Sequence, residues 1–143
     1  MFSIVFPGQG SQKIGMANEL FQTFNLVKNI FSEADKILGL PISKIILEGP
    51  EDLLNLTENT QPAIFLVSYS IFKLAQEEYG LNLQKAHFAA GHSLGEYSAL
   101  AASNKISINN ASKLLKKRGE FMQDTIAPNT STMAAIIGLS SKE

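Results

Sequence analysis

The sequence predicts an α/β fold built on a parallel sheet, and three observations carry that expectation. Short apolar runs alternate with longer helical patterns along the chain, the order of elements that makes strand-helix-strand units. Two of the runs stop at glycine-bearing turns, Pro7-Gly8-Gln9-Gly10 and Gly91-His92-Ser93-Leu94-Gly95, the first in the pattern of a buried strand ending in a loop. The composition, 45% apolar and 17% charged over 143 residues, suits one globular, core-bearing domain.

Taken in order, Phe2 to Phe6 is an apolar run short enough for a buried strand. Two helical stretches are expected at roughly residues 12 to 23 and 25 to 39. Pro50-Glu51-Asp52-Leu53-Leu54 reads as a short helix with proline at its first position and acids in its first turn. From Pro62 to about Tyr79, Ala63, Val67, Ile71 and Leu74 recur at three- and four-residue steps, which predicts a long helix with a buried stripe. Gly80 suits its C-terminal cap. His87 to Gly91 is a second strand, and Leu94 to Ser103 a small-residue helix able to pack close to a sheet. A helix is expected over about Ile108 to Asp124, a break at Pro128-Asn129, and a third strand over Thr132 to Leu139. Ser140-Ser141-Lys142-Glu143 has the spacing of a capping box, so a further helix is expected to begin there.

Charge and composition exclude several functions. The 12 basic and 13 acidic residues leave a formal charge of -1 without a long run of either sign, so nucleic acid and anionic membrane surfaces are not expected partners. No apolar stretch reaches the roughly 20 residues that span a bilayer. Zero cysteines and two histidines leave no disulfide framework, no thiol nucleophile and no expected metal site. The first residues lack a basic signal region, and a cytoplasmic location is the expectation.

The Gly91-x-Ser93-x-Gly95 arrangement presents a serine hydroxyl on a tight strand-to-helix turn whose flanks must be small. The Leu94 amide then falls at a helix N-terminus, where unpaired N–H groups favour negative charge. Gly8-Gln9-Gly10-Ser11 also follows a strand. Its spacing fails for a nucleotide loop, because position 13 is Lys13 and Gly15 is followed by Met16-Ala17. Either a plain turn or a second oxyanion-binding loop beside Ser93 fits it.

On the last helix, Ile108, Ala111, Leu114, Leu115, Phe121 and Met122 form an apolar face that includes Arg118, while Lys113, Lys116, Lys117 and Glu120 fall opposite. A guanidinium on a core-facing stripe needs an anion. An internal salt bridge or a snorkelling side chain is one reading, and a bidentate clamp for a substrate carboxylate the other. The lysines read as a solvated face, or as a docking surface for an acidic partner. No base is apparent for the serine. His92 is adjacent and aimed elsewhere, and His87 lies on the order of 20 Å away at about 3.3 Å per residue. A base from sequence outside this chain, or a non-catalytic Ser93, follows.

Phe6-Pro-Gly-Gln-Gly-Ser-Gln12, Thr60-Gln-Pro-Ala63, Gly91-His-Ser-Leu-Gly-Glu-Tyr-Ser-Ala-Leu100, Arg118-Gly119 with Met122, and Met133-Ala-Ala-Ile-Ile-Gly138 occur in order. Together they resemble the bacterial malonyl-CoA:acyl carrier protein transacylases of type II fatty acid synthesis, and cover the N-terminal half of that family's usual length. The resemblance implies that Ser93 carries the malonyl group, that the amides of Gln9 and Leu94 form the oxyanion hole, and that Arg118 pairs with the malonyl carboxylate. Met122 and His92 belong to the implied substrate site. Leu94 looks like malonyl-type members, where methylmalonyl users often have glutamine. The implied fold is an α/β-hydrolase-like parallel sheet flanked by helices over residues 1 to 130, with residues 131 to 143 beginning an inserted ferredoxin-like subdomain. The implied partners are malonyl-CoA and the carrier protein's phosphopantetheine, with no cofactor, in an enzyme expected to be monomeric. The family's catalytic histidine and its supporting glutamine and asparagine have no counterpart in these 143 residues, so the chain alone is expected to turn over malonyl-CoA negligibly. A serine esterase, or a non-catalytic module binding acyl-CoA or carrier protein, are the rival readings.

Overall fold

The computed structural model describes residues 2–125 and 138. Two strands, β1 (Phe2–Phe6) and β2 (Ala86–Gly91), pair in parallel, with Ser3 opposite Phe88 and Phe6 opposite Gly91. Between them in the chain lie α1 (Asn18–Thr23), α2 (Asn25–Leu38), α3 (Ile42–Glu48), α4 (Glu51–Asn55) and α5 (Thr57–Tyr79), with α6 (Gly95–Ala102) and α7 (Ile108–Asp124) after β2. The mixed α/β architecture with a parallel pair is the one the sequence predicts. The third strand, the helix expected to begin at Ser140 and the domain boundary at residue 130 lie outside the described residues.

Helix α5 is the axis of the molecule. Its Ala63 and Leu66 join Val27, Phe31, Ile42, Ile46 and Leu54 in one buried cluster. Ile64 and Phe65 face a second, with Leu94, Ala111 and Leu115. Phe72 joins Phe6, Ala99 and Ala102 in a third, its ring edge-on to that of Phe6 at 6.3 Å. The single stripe expected on α5 is therefore incomplete: residues 59–66 are buried all round, while Ile71 of the predicted stripe is exposed. A helix flanked by α2 to α4 and by α6 and α7 needs apolar residues on more than one side.

Several boundaries differ from the sequence expectation, each for a local reason. Residues 12–17 are not helical, because Gly15 (φ 78°) and Ala17 (φ 63°) adopt left-handed backbone and the Gly15 amide donates to the Ile46 carbonyl at 2.8 Å. Helix α2 stops at Leu38, with Gly39 as its left-handed cap. Pro50 stands one residue ahead of α4 rather than at its first position. Helix α5 begins at Thr57, so Pro62 occupies an interior position. The first turns of α5 are tied to neighbouring segments. The Asn59 side-chain amide donates to the Leu53 carbonyl (2.9 Å), the Thr60 hydroxyl donates to that of Leu54 (2.6 Å), and Gln123 of α7 accepts from the Thr57 amide (3.2 Å). Helix α3 was not expected from the sequence. Its signal is the i, i+3, i+4 set Ile42, Ile45 and Ile46, all buried, and the Asp35 carboxylate accepts from both the Ser43 amide (2.8 Å) and the Ser43 hydroxyl (2.5 Å).

Strand β1 is half covered, Phe2, Ile4 and Phe6 alternating with exposed Ser3 and Val5. Strand β2 is barely covered: His87, Phe88, Ala89 and Ala90 are all exposed, Phe88 at 72%. Parallel sheets are buried only where layers cover both faces, and the described residues do not supply both. Helix α7 keeps its predicted bounds, with Ser107 capping the Asn110 amide at 3.2 Å, but its buried line is Ala111, Ser112, Leu115 and Gly119. Leu114, Phe121 and Met122, expected in the core, are exposed. Gly119 moves the contact line: a Cβ there would meet the Glu58 Cα at 2.5 Å and the Thr57 carbonyl at 2.7 Å, so α7 approaches α5 closely along this edge. Lys116, expected on the solvated face, instead pairs with Glu58 at 3.2 Å.

Candidate active site

Ser93 sits between β2 and α6 with φ 54°. A non-glycine residue in the left-handed region costs on the order of 1 kcal/mol and persists only where its surroundings over-determine it. Here they do. A Cβ at Gly91 would overlap the Gly95 backbone, and a Cβ at Gly95 would meet the Phe6 carbonyl oxygen at 2.5 Å. The Leu94 side chain is fully buried between Ile64, Phe65 and Leu115, anchoring the residue after the serine. The Gly95 amide donates to the His92 carbonyl (2.9 Å) and the Glu96 amide to that of Ser93 (3.1 Å), closing the turn. The outcome is an exposed Ser93 hydroxyl at the start of a helix.

The Gln9 loop is brought to the same place. Gly8 packs so tightly on His92 that a Cβ would stand 2.8 Å from the His92 carbonyl oxygen. The loop is tied by Ser11, which donates to the Gly8 carbonyl (2.9 Å), and by Gln12, which accepts from the Gly10 amide (2.8 Å) and donates to Asn55 (2.9 Å). Gln9 itself reaches Thr57 at 3.4 Å. The main-chain amides of Gln9 and Leu94 carry no hydrogen bond to a described residue.

Arg118 reaches Ser93 across 25 positions of sequence, its Nη2 donating to Ser93 Oγ at 3.2 Å. Its Nη1 donates to Gln61 Oε1 at 2.6 Å, and Gln61 Nε2 in turn donates to Met122 Sδ at 3.2 Å. The internal salt bridge that the sequence left open for Arg118 is not found: among the described residues the ion pairs are Lys116–Glu58 and Lys117–Glu120. A half-buried cation with neutral partners keeps its capacity for an arriving anion. Neither histidine meets the serine. His92 lies against Gly8, and the His87 ring stands beside Phe88. The lysines divide, Lys117 binding Glu120 at 3.0 Å, lying over the Phe121 ring and holding the Glu120 carboxyl below the usual carboxylate range. Among the described residues no three His, Asp or Glu side chains gather as a metal would require, and no helix is long and apolar enough to cross a membrane.

Gln61 is the site residue that reasoning from the sequence passed over. It stands in the Thr60-Gln-Pro-Ala63 motif, and the available signal is that a glutamine embedded in a buried helix face must find partners.

A family model described as acyl transferase domain matches residues 3–142. The malonyl CoA-acyl carrier protein transacylase of Escherichia coli K12 is 41% identical over 138 residues, which are 96% of this chain and 44% of that protein. An acyl-carrier-protein S-malonyltransferase structure from Bartonella henselae aligns with a TM-score of 0.91 at 46% identity, over 99% of this chain and 46% of that one. A structure of a type II polyketide acyl-carrier protein in complex with its malonyl-transacylase contains a chain that aligns with a TM-score of 0.82 at 41% identity, over 88% of this chain and 40% of that one. The chain thus spans less than half the length of these relatives.

Proposed function

We propose, from the premise that this chain belongs to the acyl transferase domain family, that Ser93 accepts a malonyl group from coenzyme A and passes it to an acyl carrier protein in fatty acid biosynthesis. In the first half-reaction Ser93 Oγ attacks the thioester carbonyl and the coenzyme A thiolate leaves with a proton. In the second, the carrier protein's phosphopantetheine thiol attacks the malonyl-serine ester and frees the hydroxyl. The oxyanion of each tetrahedral intermediate is met by the amides of Gln9 and Leu94, whose open hydrogen-bonding positions support that role. Arg118 holds the malonyl carboxylate, with Met122 and His92 lining the same site. No metal or cofactor enters this scheme.

One observation carries the reading: a guanidinium with only neutral partners stands 3.2 Å from a serine held in left-handed backbone. A serine esterase has no use for that cation. The proton on Oγ needs a base that His87 and His92 do not supply, so full turnover requires a base from another stretch of polypeptide, and the 143-residue chain transfers malonyl to carrier protein negligibly. Within the same proposal the complete enzyme is a cytoplasmic monomer with an α/β-hydrolase-like sheet, and its ferredoxin-like insertion begins near residue 131.

The test is slow covalent labelling read by intact mass. Malonyl-CoA labels the chain at Ser93, and Ser93→Ala abolishes the adduct. Arg118→Ala removes the preference for malonyl-CoA over acetyl-CoA. Malonyl labelling unchanged in Arg118→Ala overturns the carboxylate clamp. A non-covalent complex without any adduct would favour a binding module.

A further inference from the structure

We propose that Gln61 is a positioning residue for acyl selection: its buried side-chain amide fixes the rotation of the Arg118 guanidinium, so that the Nη2 edge of the fork is aimed at Ser93. The inference deepens the reading of Arg118 as the carboxylate clamp and rests on it.

Four observations support it. Gln61 is fully buried on α5, so its amide is far more restrained than a surface side chain. Arginine offers only donors, which forces Oε1 of Gln61 toward Nη1 and turns Nε2 toward the Met122 sulfur. The amide therefore bridges two residues one turn apart on α7, holding head group and helix face together. Gly119 lies between them and lets α7 come within reach, since a Cβ there would strike the α5 backbone.

The neutrality of Gln61 matters as much as its position. With Nη1 occupied by an uncharged acceptor, the guanidinium keeps its full charge and its Nη2 edge for the ligand. A carboxylate at position 61 would hold the fork equally well but cancel the charge that an arriving acid needs. Without the tether, the long arginine side chain must be ordered at the moment of acyl binding. Acyl groups lacking a terminal carboxylate offer Nη2 no anion in either case, so they respond to residue 61 far less than malonyl does. Loss of selectivity, rather than loss of reactivity, is the signature.

The chain contains a single arginine, so 15N-arginine labelling reports on this guanidinium without assignment. In the full chain, the Nη signals are expected to be split and slowly exchanging. In Gln61→Leu they collapse to an averaged signal, and the malonyl-over-acetyl labelling preference at Ser93 falls about 10- to 100-fold, because malonyl labelling drops far more than acetyl labelling. Split signals retained in Gln61→Leu overturn the proposal. Should that variant fail to fold, Gln61→Glu decides: split signals retained with the malonyl preference lost support it, and an unchanged preference overturns it. The nitrogen signals need no chemistry, so they judge the tether even where labelling by malonyl-CoA fails and the proposed function falls with it.

Discussion

Gly119→Ala tests whether the close approach of α7 to α5 builds the site. The added Cβ would lie 2.5 Å from the Glu58 Cα, 2.7 Å from the Thr57 carbonyl oxygen and 2.9 Å from the Glu58 amide nitrogen, all backbone atoms. Ordinary contact begins near 3.4 Å, so the helices must separate by roughly 0.9 Å, since no flexible side-chain end can yield. Alanine in a helix interior gains about 1 kcal/mol over glycine, and overpacking of this kind costs about 1–3 kcal/mol. With only backbone to move, the upper part of that range applies, and the net destabilisation is about 1–2 kcal/mol, or a fall in melting temperature of about 5 °C. The functional effect is larger than the loss of stability, because a shift near 0.9 Å takes Arg118 Nη2 out of hydrogen-bonding range of Ser93 Oγ, now 3.2 Å away. Thermal unfolding followed by circular dichroism gives the first quantity, and malonyl-against-acetyl labelling of Ser93 gives the second. A variant that is more stable than the parent and equally selective for malonyl would show that helix propensity outweighs the contact and that the α5–α7 spacing does not set the clamp.

Two further outcomes follow from the same contacts. Gln12→Ala removes both the acceptor for the Gly10 amide and the link to Asn55; Ser93 acylation by malonyl- and acetyl-CoA is expected to slow about tenfold in parallel, in keeping with a lost oxyanion donor, with the unfolding free energy within about 0.5 kcal/mol of the parent because these bonds are exposed. The Tyr69 phenol is raised above the usual tyrosine value, chiefly by burial and further by the charges of Glu33 and Glu77. The folded protein therefore keeps a proton that the unfolded chain releases, so stability is unaffected below about pH 10 and declines above it, on through the folded-state value. Urea unfolding across that window should show a flatter decline in Tyr69→Phe, and identical slopes would exclude Tyr69 as the source.

Much of the candidate site is legible in the sequence because its requirements are local. A serine in left-handed backbone between a strand and a helix needs Gly91 and Gly95, and both are within two residues of it. The bounds of α7 are equally local, set by the Ser107 cap and a run of good helix formers. Gln61 illustrates the other case. Nothing in its neighbours along the chain says that it meets Arg118, because the partners are 57 residues apart and are joined only when α5 and α7 pack.

Local patterns along the chain specify the α/β order of the described elements, the elbow carrying Ser93 and the cation among apolar residues on one helix. Each follows from backbone sterics or periodicity within one element. Packing between elements sets that α5 starts ahead of Pro62, that α7 buries Gly119 and exposes Phe121, and that Arg118 meets a neutral amide and a hydroxyl instead of a carboxylate. Those outcomes depend on which surfaces pack and on which polar groups then need a partner away from water. That pairing becomes defined once the helices are in contact.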